Sequence, residues 1–401
     1  MRETFERIVS HLNENLSGDE ILSCYFRGED SDFVRFNHSA VRQAGAVRQM
    51  YLEIELISGR RHAKANAVLS GERDEDGARL AGTVEDLREI LPLLPEDPHL
   101  IYAEEICSSE RVGENSLPPP EESVGAILDA GRGKDMVGIY AAGGVHAGFA
   151  NSLGQRNWFS SFSFHLDWTY YHRADKAVKS RYAGRRWEAA EFRSVADGAE
   201  EHLKVLARPP RTLGRGSYRV YLSPAAVGAF LGMVSWSGFG LRARRTKQSS
   251  LLKMEEEGKR LHPGVHLAEN TREGLGPGFQ EQGFPKPPRV PLIESGRLAE
   301  CLVSPRSGRE WEVSPNGASE RETPEALDLA SGDIPYSHAL ERLERGIYIG
   351  DLWYLNYSDL NSCRMTGLTR FATFWVEGGK SRRRSTSCGS MRRSTAFSGK
   401  I

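Results

Sequence analysis

Residues 346–378 read GIYIGDLWYLNYSDLNSCRMTGLTRFATFWVEG, and this stretch decides the fold of the second half of the chain. Ile347, Ile349, Leu352, Trp353 and Tyr354 have the β-branched and aromatic character of a strand, and residues 371–376 repeat it. Between them, residues 356–367 are rich in Asn, Ser, Asp and Gly, the residue types that close turns. The expected unit is a two-stranded hairpin with a polar loop at its tip. Asn356 and Arg370 would offer an amide and a guanidinium, groups suited to a peptide backbone or a carboxylate. Tyr354, Asn356, Tyr357 and Arg370 are therefore the candidate peptide-binding residues. The alternative reading is a buried hairpin that simply needs these turns.

Upstream, residues 290–293 and 298–303 read as short strands in a turn-rich run from 262 to 322. Tyr218, Val220 and Leu222 mark a strand, and Ser223 followed by Pro224 suits an N-cap and first helical position, opening a helix to about Val234. Residues 208–216, with Pro209 and Pro210, give the best domain boundary. Before it, residues 188–207 are amphipathic and helical. The clearest strand is 162–171, with Phe162, Phe164, Leu166, Trp168 and Tyr170 on one face and Ser163, His165, Asp167, Thr169 and Tyr171 on the other. Strand-type segments span 137–151, and helices are expected at 5–16, 84–94 and 123–130. Residues 21–26 and 32–37 read as two short strands; Met50, Leu52, Ile54 and Leu56 share one face of a strand over 47–58. The expected class is α+β: an α/β N-terminal domain (1–208), a β-rich C-terminal domain built on antiparallel sheet (217–380), and a basic Ser/Arg-rich tail (381–401).

The chain's 401 residues suffice for two domains with cores of their own. Lys plus Arg (53) nearly balances Asp plus Glu (54), which argues against a general polyanion-binding surface. No segment approaches the roughly 20 apolar residues of a membrane span, and the N-terminus lacks a signal-peptide core. Five scattered cysteines without a CxxC pair suit reduced thiols. A cytoplasmic, soluble protein without membrane or nucleic-acid partners is expected.

Catalytic motifs are sparse. None of the 11 histidines is followed by Glu, so HExxH and its longer relatives are missing from this sequence. His262 and His266 are four apart, but Pro263 and Gly264 keep them off one helical face. His165 and Asp167, with His172 and Asp175 beyond, form a second candidate constellation, though such residues usually decorate the wetted face of a strand. Gly131, Gly133 and Lys134 fail phosphate-loop spacing, and no GxSxG elbow occurs. Arg242, Arg244, Arg245 and Lys247 read as a solvated helix face.

The 346–380 segment, with its glycine-led strand reaching NYSD and then a G-x-TR turn, resembles the C-terminal signature of the TldD/PmbA family. FVRFNHSAVRQAG (33–45), AAGGVHAGFANSLGQRNWF (141–159), DKAVKSRYAG (175–184), YRVYLSPAAVGAFLG (218–232) and FPKPPRVPLIESGRL (284–298) are similar to further family segments, so the resemblance covers nearly the whole chain to Lys380. It implies an α/β domain followed by an antiparallel one. It also implies one of two kinds of subunit: a TldD type carrying HExxxH and zinc, or a metal-free PmbA/TldE type that pairs with it in a peptidase complex acting on unfolded or modified peptides. Here the second domain opens Ser223-Pro-Ala-Ala-Val-Gly-Ala-Phe, without His or Glu. The resemblance therefore implies a metal-free subunit with no catalytic residue of its own, zinc in a TldD-like HExxxH partner, and a heterodimer acting on peptides. A non-catalytic regulatory or peptide-binding role is the alternative, since the family has been described as modulating DNA gyrase; a free-standing hydrolase using His165, Asp167 and His172 is another.

The departure from the family comes at SRRRSTSCGSMRRSTAFSGKI (381–401), which cannot form a core. One codon choice for these residues, read in another frame, gives IEAPINVMRFDETIYRLFGKI, which resembles the expected family ending. A frameshift near Lys380 is the expected origin of the tail.

Overall fold

The structure is a computed structural model that describes residues 1–173, 176–384 and 395–397; Asp175 and most of the basic tail lie outside the described residues. The N-terminal half comprises α1 (Arg2–Asn13), β1 (Ile21–Asn37), β2 (Ala40–Ser58), β3 (Arg61–Val68), α2 (Arg73–Ile90), β4 (Ser109–Val112), α3 (Pro120–Gly131), β5 (Asp135–Asn151), β6 (Arg156–Arg173), β7 (Lys176–Gly184) and α4 (Ala189–Leu206). Its seven strands form one sheet in the order β3-β2-β1-β5-β6-β4, with β7 also on β6; every pairing is antiparallel except β4 with β6.

Period-2 alternation gives this sheet its two faces. Met50, Leu52, Ile54 and Leu56 are all buried on one of them, together with Phe5, Ile8, Val9 and Leu12 of α1 and Leu80, Val84 and Leu87 of α2. Further along, Phe164, Leu166, Trp168 and Tyr170 of β6 pack under α3 and α4, among them Ile127, Phe192 and Ala196. The sheet is thus covered by two separate helical pairs.

The C-terminal half comprises β8 (Val220–Leu222), α5 (Pro224–Ser235), α6 (Leu241–Arg245), α7 (Leu252–Glu256), β9 (Leu267–Asn270), β10 (Arg289–Glu294), β11 (Arg297–Leu298), α8 (Pro305–Trp311), β12 (Leu327–Leu329), α9 (Ala339–Leu343), β13 (Arg345–Asp359), β14 (Arg364–Glu377), β15 (Lys380–Arg384) and β16 (Thr395–Phe397). A four-stranded sheet runs β11-β10-β9-β12, and a five-stranded one β15-β14-β13-β8 with β16 also on β14. The α+β class holds, with the second sheet antiparallel apart from β8 beside β13. Tyr348, Phe374 and Val376 of the hairpin join the same apolar cluster as α4, so that helix is packed between the two large sheets. No helix among the described residues is long and apolar enough to cross a membrane.

Several boundaries differ from expectation for identifiable reasons. Residues 21–37 form one strand; the polar middle, GEDSD, is held by pairing with β2 on one side and β5 on the other. Helix α2 starts at Arg73, earlier than its apolar spacing suggests, and Asp76 in its first turn accepts the backbone N–H groups of Ser70 and Gly71, fixing the turn that precedes it. Pro305–Trp311 is a helix capped by Ser304 within the run expected to be turns. The polar loop at 356–367 shrinks to residues 360–363, because most of it continues the two strands.

Candidate functional site

Helix α5 lies along β13, and the contact begins at its cap. The Ser223 hydroxyl accepts the N–H of Ala226 and donates to the carbonyl of Gly350 at 2.6 Å, while the Ser223 N–H reaches the carbonyl of Ile349. Ala226 is fully buried against Ile349 and Leu352. The hairpin itself is irregular. Between Ile349↔Thr373 and Asp351↔Arg370 the strand β14 carries one extra residue, and Phe371 there has φ 61°. A Cβ on Gly350 would sit 2.7 Å from the carbonyl oxygen of Ala372, so the bulge closes only on glycine. Between Trp353↔Leu368 and Asn356↔Thr366 the extra residue is on β13, where Tyr354 has φ 53°. Opposite it, a Cβ on Gly367 would come 2.6 Å from Leu355. Such bulges re-aim side chains that strict alternation would place otherwise.

The consequence is a sorting of the NYSD segment. Leu352, Leu355 and Tyr357 turn toward α5 and the core. Trp353 and Tyr354 turn out; Tyr354 is 77% exposed and its ring lies edge-on to Trp353 at 5.7 Å. Asn356 is exposed beside them. Tyr357 points the other way: its hydroxyl donates to the carbonyl of Met233 at 2.8 Å, near the C-terminus of α5, and burial pushes its phenol up to about 12. Arg370 pairs by its backbone with Asp351, but its side chain lies outside the described residues. Tyr354 and Asn356 thus share an outer surface that Tyr357 does not face.

Past the end of α5, Trp236 is 71% exposed on the rim of a cleft of about 490 Å³, whose lining includes Arg242, Thr246, Gln248 and Glu320. Its wall is held by the buried carboxylate of Glu322, which accepts the backbone N–H of Arg242 at 2.7 Å and of Ser304 at 3.0 Å, so one side chain caps both α6 and α8. Of the basic run, Arg244 pairs with Glu255 and Lys247 with Glu256 on the surface. Trp236 was not singled out by the sequence; its one signal is a large aromatic immediately after an apolar helix.

Charged groups also meet between the two halves of the chain. Arg306 of α8 grips Asp97 through both nitrogens at 2.5 and 3.2 Å, and holds that carboxyl down at about 2. His62 lies 2.7 Å from Glu55 and 3.5 Å from Asp97; the hydrogen bond to Glu55 raises its pKa. Arg111 donates to the carbonyls of Thr271 and Arg272, and Gln155 to that of Gly283. The contacts of Arg306, Arg111 and Gln155 do not follow from sequence spacing, because each partner lies more than 100 residues away.

The second constellation is dispersed. His165 is exposed, and Asp167 is engaged by Lys179 at 3.1 Å and by Arg181 at 3.2 Å. Arg181 in turn reaches Asp351 of the hairpin at 3.2 Å. His172 is exposed near the end of β6. His262 and His266 flank a turn, not one face of a helix. Helix α5 reads PAAVGAFLGMVS and offers no His, Cys, Asp or Glu side chain, so its residues do not fit a zinc ion.

Residues 215–389 match the family model described as the PmbA/TldA metallopeptidase C-terminal domain. No curated protein matches the chain. Among solved structures, a protein from Thermotoga maritima provisionally described as a modulator of a DNA gyrase superposes with TM-score 0.72 at 15% identity, over 96% of this chain and 90% of that one. TldE from Thermococcus kodakarensis gives 0.71 at 13% identity, over 95% and 90%. A Bacteroides thetaiotaomicron protein with the same provisional description as the first gives 0.70 at 15% identity, over 96% and 89%. These identities speak for the fold, and the family model speaks for the sequence of the second half. The second half of the chain thus matches the PmbA/TldA metallopeptidase C-terminal domain, and the chain as a whole shares the fold of these structures.

Proposed function

We propose that this chain is a PmbA/TldE-like subunit that supplies peptide-binding surface to a TldD-type zinc metallopeptidase, the zinc being held by the partner. The observation that carries the reading is helix α5. It opens the matched domain at Ser223, packs firmly on the signature hairpin, and has only apolar and small side chains where a metal-bearing relative would need His and Glu. The likeness of fold to a protein named TldE supports the same reading. The neighbouring surface suits an extended peptide: Trp353, Tyr354 and Asn356 offer aromatic faces and an amide on a rigid strand, and such groups hold a main chain without demanding a particular sequence. Peptide cleavage, heterodimer formation and a cytoplasmic site of action belong to this proposal.

The test mixes the chain with an HExxxH-bearing family member and follows bound zinc and cleavage of an unstructured peptide. Neither activity nor zinc in the chain alone, with cleavage on mixing that exceeds the partner's own, supports the subunit role. Zinc and cleavage by the chain alone would overturn it. Binding of peptide without any gain in cleavage would favour the regulatory role instead.

A further inference from the structure

The strand β3 pairs with β2 only along residues 51–58, leaving residues 40–49 of β2 as the outer edge of the large sheet. These residues read AVRQAGAVRQ, are almost all exposed, and lack the proline that blunts many natural edges. The carbonyl of Met50 accepts from the N–H of Leu69 on the outer side. Strand alternation then directs the N–H and C=O groups of Arg48, Ala46 and Ala44 to that same side, where no backbone group among the described residues meets them. The two faces of the edge differ. Arg48 stands opposite Asp30 of β1, and Ala46 opposite Asp32, so the side of the sheet shared with Met50 sets one base beside the acids of the neighbouring strand. Arg42 and Arg48 are the only charged residues from 40 to 52. The opposite face presents Val47 and Phe33, half-buried, with Val41 nearby at 46% exposure.

We propose that this edge docks an extended segment of another protein by strand addition, and that the segment alternates acidic and apolar residues. Its main chain would satisfy the free groups of Ala44, Ala46 and Arg48. Its acids would extend the ladder from Asp30 through Arg48, and its apolar residues would fall beside Val47. A basic segment would place like charges directly opposite Arg48, which is unfavourable. This inference concerns the N-terminal sheet and is independent of the subunit role proposed above.

The full chain is titrated with a fluorescein-labelled peptide of alternating valine and glutamate, and with its valine–lysine counterpart. Two variants accompany it: Arg42→Glu with Arg48→Glu, which reverses the edge charge on exposed side chains, and Ala46→Pro, which removes one outward N–H. The expected result is binding of the glutamate peptide, slowed amide exchange at Ala44, Ala46 and Arg48, and a loss of about tenfold or more in each variant, with the charge-reversed chain turning to the lysine peptide. Absence of binding by the unaltered chain, or binding that neither variant weakens, would overturn the proposal. So would concentration-dependent self-association abolished by Ala46→Pro, which would make a second copy of this chain the occupant.

Discussion

The hydroxyl of Ser223 lies 2.6 Å from the carbonyl oxygen of Gly350 while it caps α5 through the N–H of Ala226. One side chain thereby ties the helix to the hairpin at the bulge around Gly350 and Phe371, just before the second bulge that turns Trp353 and Tyr354 outward. Ser223→Ala removes the cap, about 1 kcal/mol, and leaves the Gly350 carbonyl short of a donor, about 1–3 kcal/mol more. Ser223→Asp separates the two roles, since a carboxylate still accepts from Ala226 but repels Gly350. Chemical denaturation should rank the unaltered chain above both variants. An aspartate variant as stable as the parent would show that the link to Gly350 contributes nothing.

The Ser223–Pro224 start of that helix was legible in sequence because caps are local chemistry. So were the alternating faces of β2 and β6, where Met50, Leu52, Ile54 and Leu56, and Phe164, Leu166, Trp168 and Tyr170, are all buried. The bulges were not legible. A one-residue register change leaves no mark in a run such as NYSDLNSC, so Tyr357 reads as a neighbour of Tyr354 although the strand sends it to Met233. Glu322 was equally hidden. A glutamate in a turn-rich segment is ordinarily solvated, and only the tertiary fold brings the N-termini of α6 and α8 to it.

His202 of α4 provides a pH-dependent test of the packing between the sheets. Its ring lies 5.1 Å from those of Tyr348 and Phe374, and burial lowers its pKa to about 4. The unfolded chain, with an ordinary value near 6.5, binds the proton more readily. Stability from the neutral ring is therefore complete above about pH 6.5 and declines as pH falls toward 4, by roughly 2–3 kcal/mol. His202→Leu should flatten that acid limb while changing stability little at pH 7.5. Parallel acid profiles for the two chains would assign the loss to other groups.

The Arg306–Asp97 pair joins the two halves of the chain and makes the opposite demand on pH from its neighbour His62. Asp97, held at about 2 by Arg306, stabilises the fold above about pH 4 and loses that effect as pH falls through 2. His62, raised by Glu55, stabilises below about pH 6.5 and loses its effect as pH rises through its folded value. Asp97→Asn should cost about 1–3 kcal/mol near pH 6 and speed proteolysis between the halves. Arg306→Gln should cost a similar amount, and the double variant little more than either alone, because both remove one interaction. Additive losses would mean that the pair is not coupled.

Tyr357 and the Trp353–Tyr354 pair separate structure from binding within one strand. Tyr357→Phe deletes the hydrogen bond to Met233 and should lower stability by about 0.5–1.5 kcal/mol. Peptide cleavage in the mixed complex should be unchanged wherever the variant remains folded, because that phenol faces the core. Trp353→Ala with Tyr354→Ala removes exposed rings and should leave the unfolding free energy within about 0.5 kcal/mol. If these rings hold the peptide, the same double variant should raise the peptide KM of the mixed complex about tenfold and leave kcat nearly unaltered, the signature of lost uniform binding. A fall in kcat with unchanged KM would place the rings at the subunit contact that activates the partner, and equal kinetics in all chains would move the peptide site away from this hairpin.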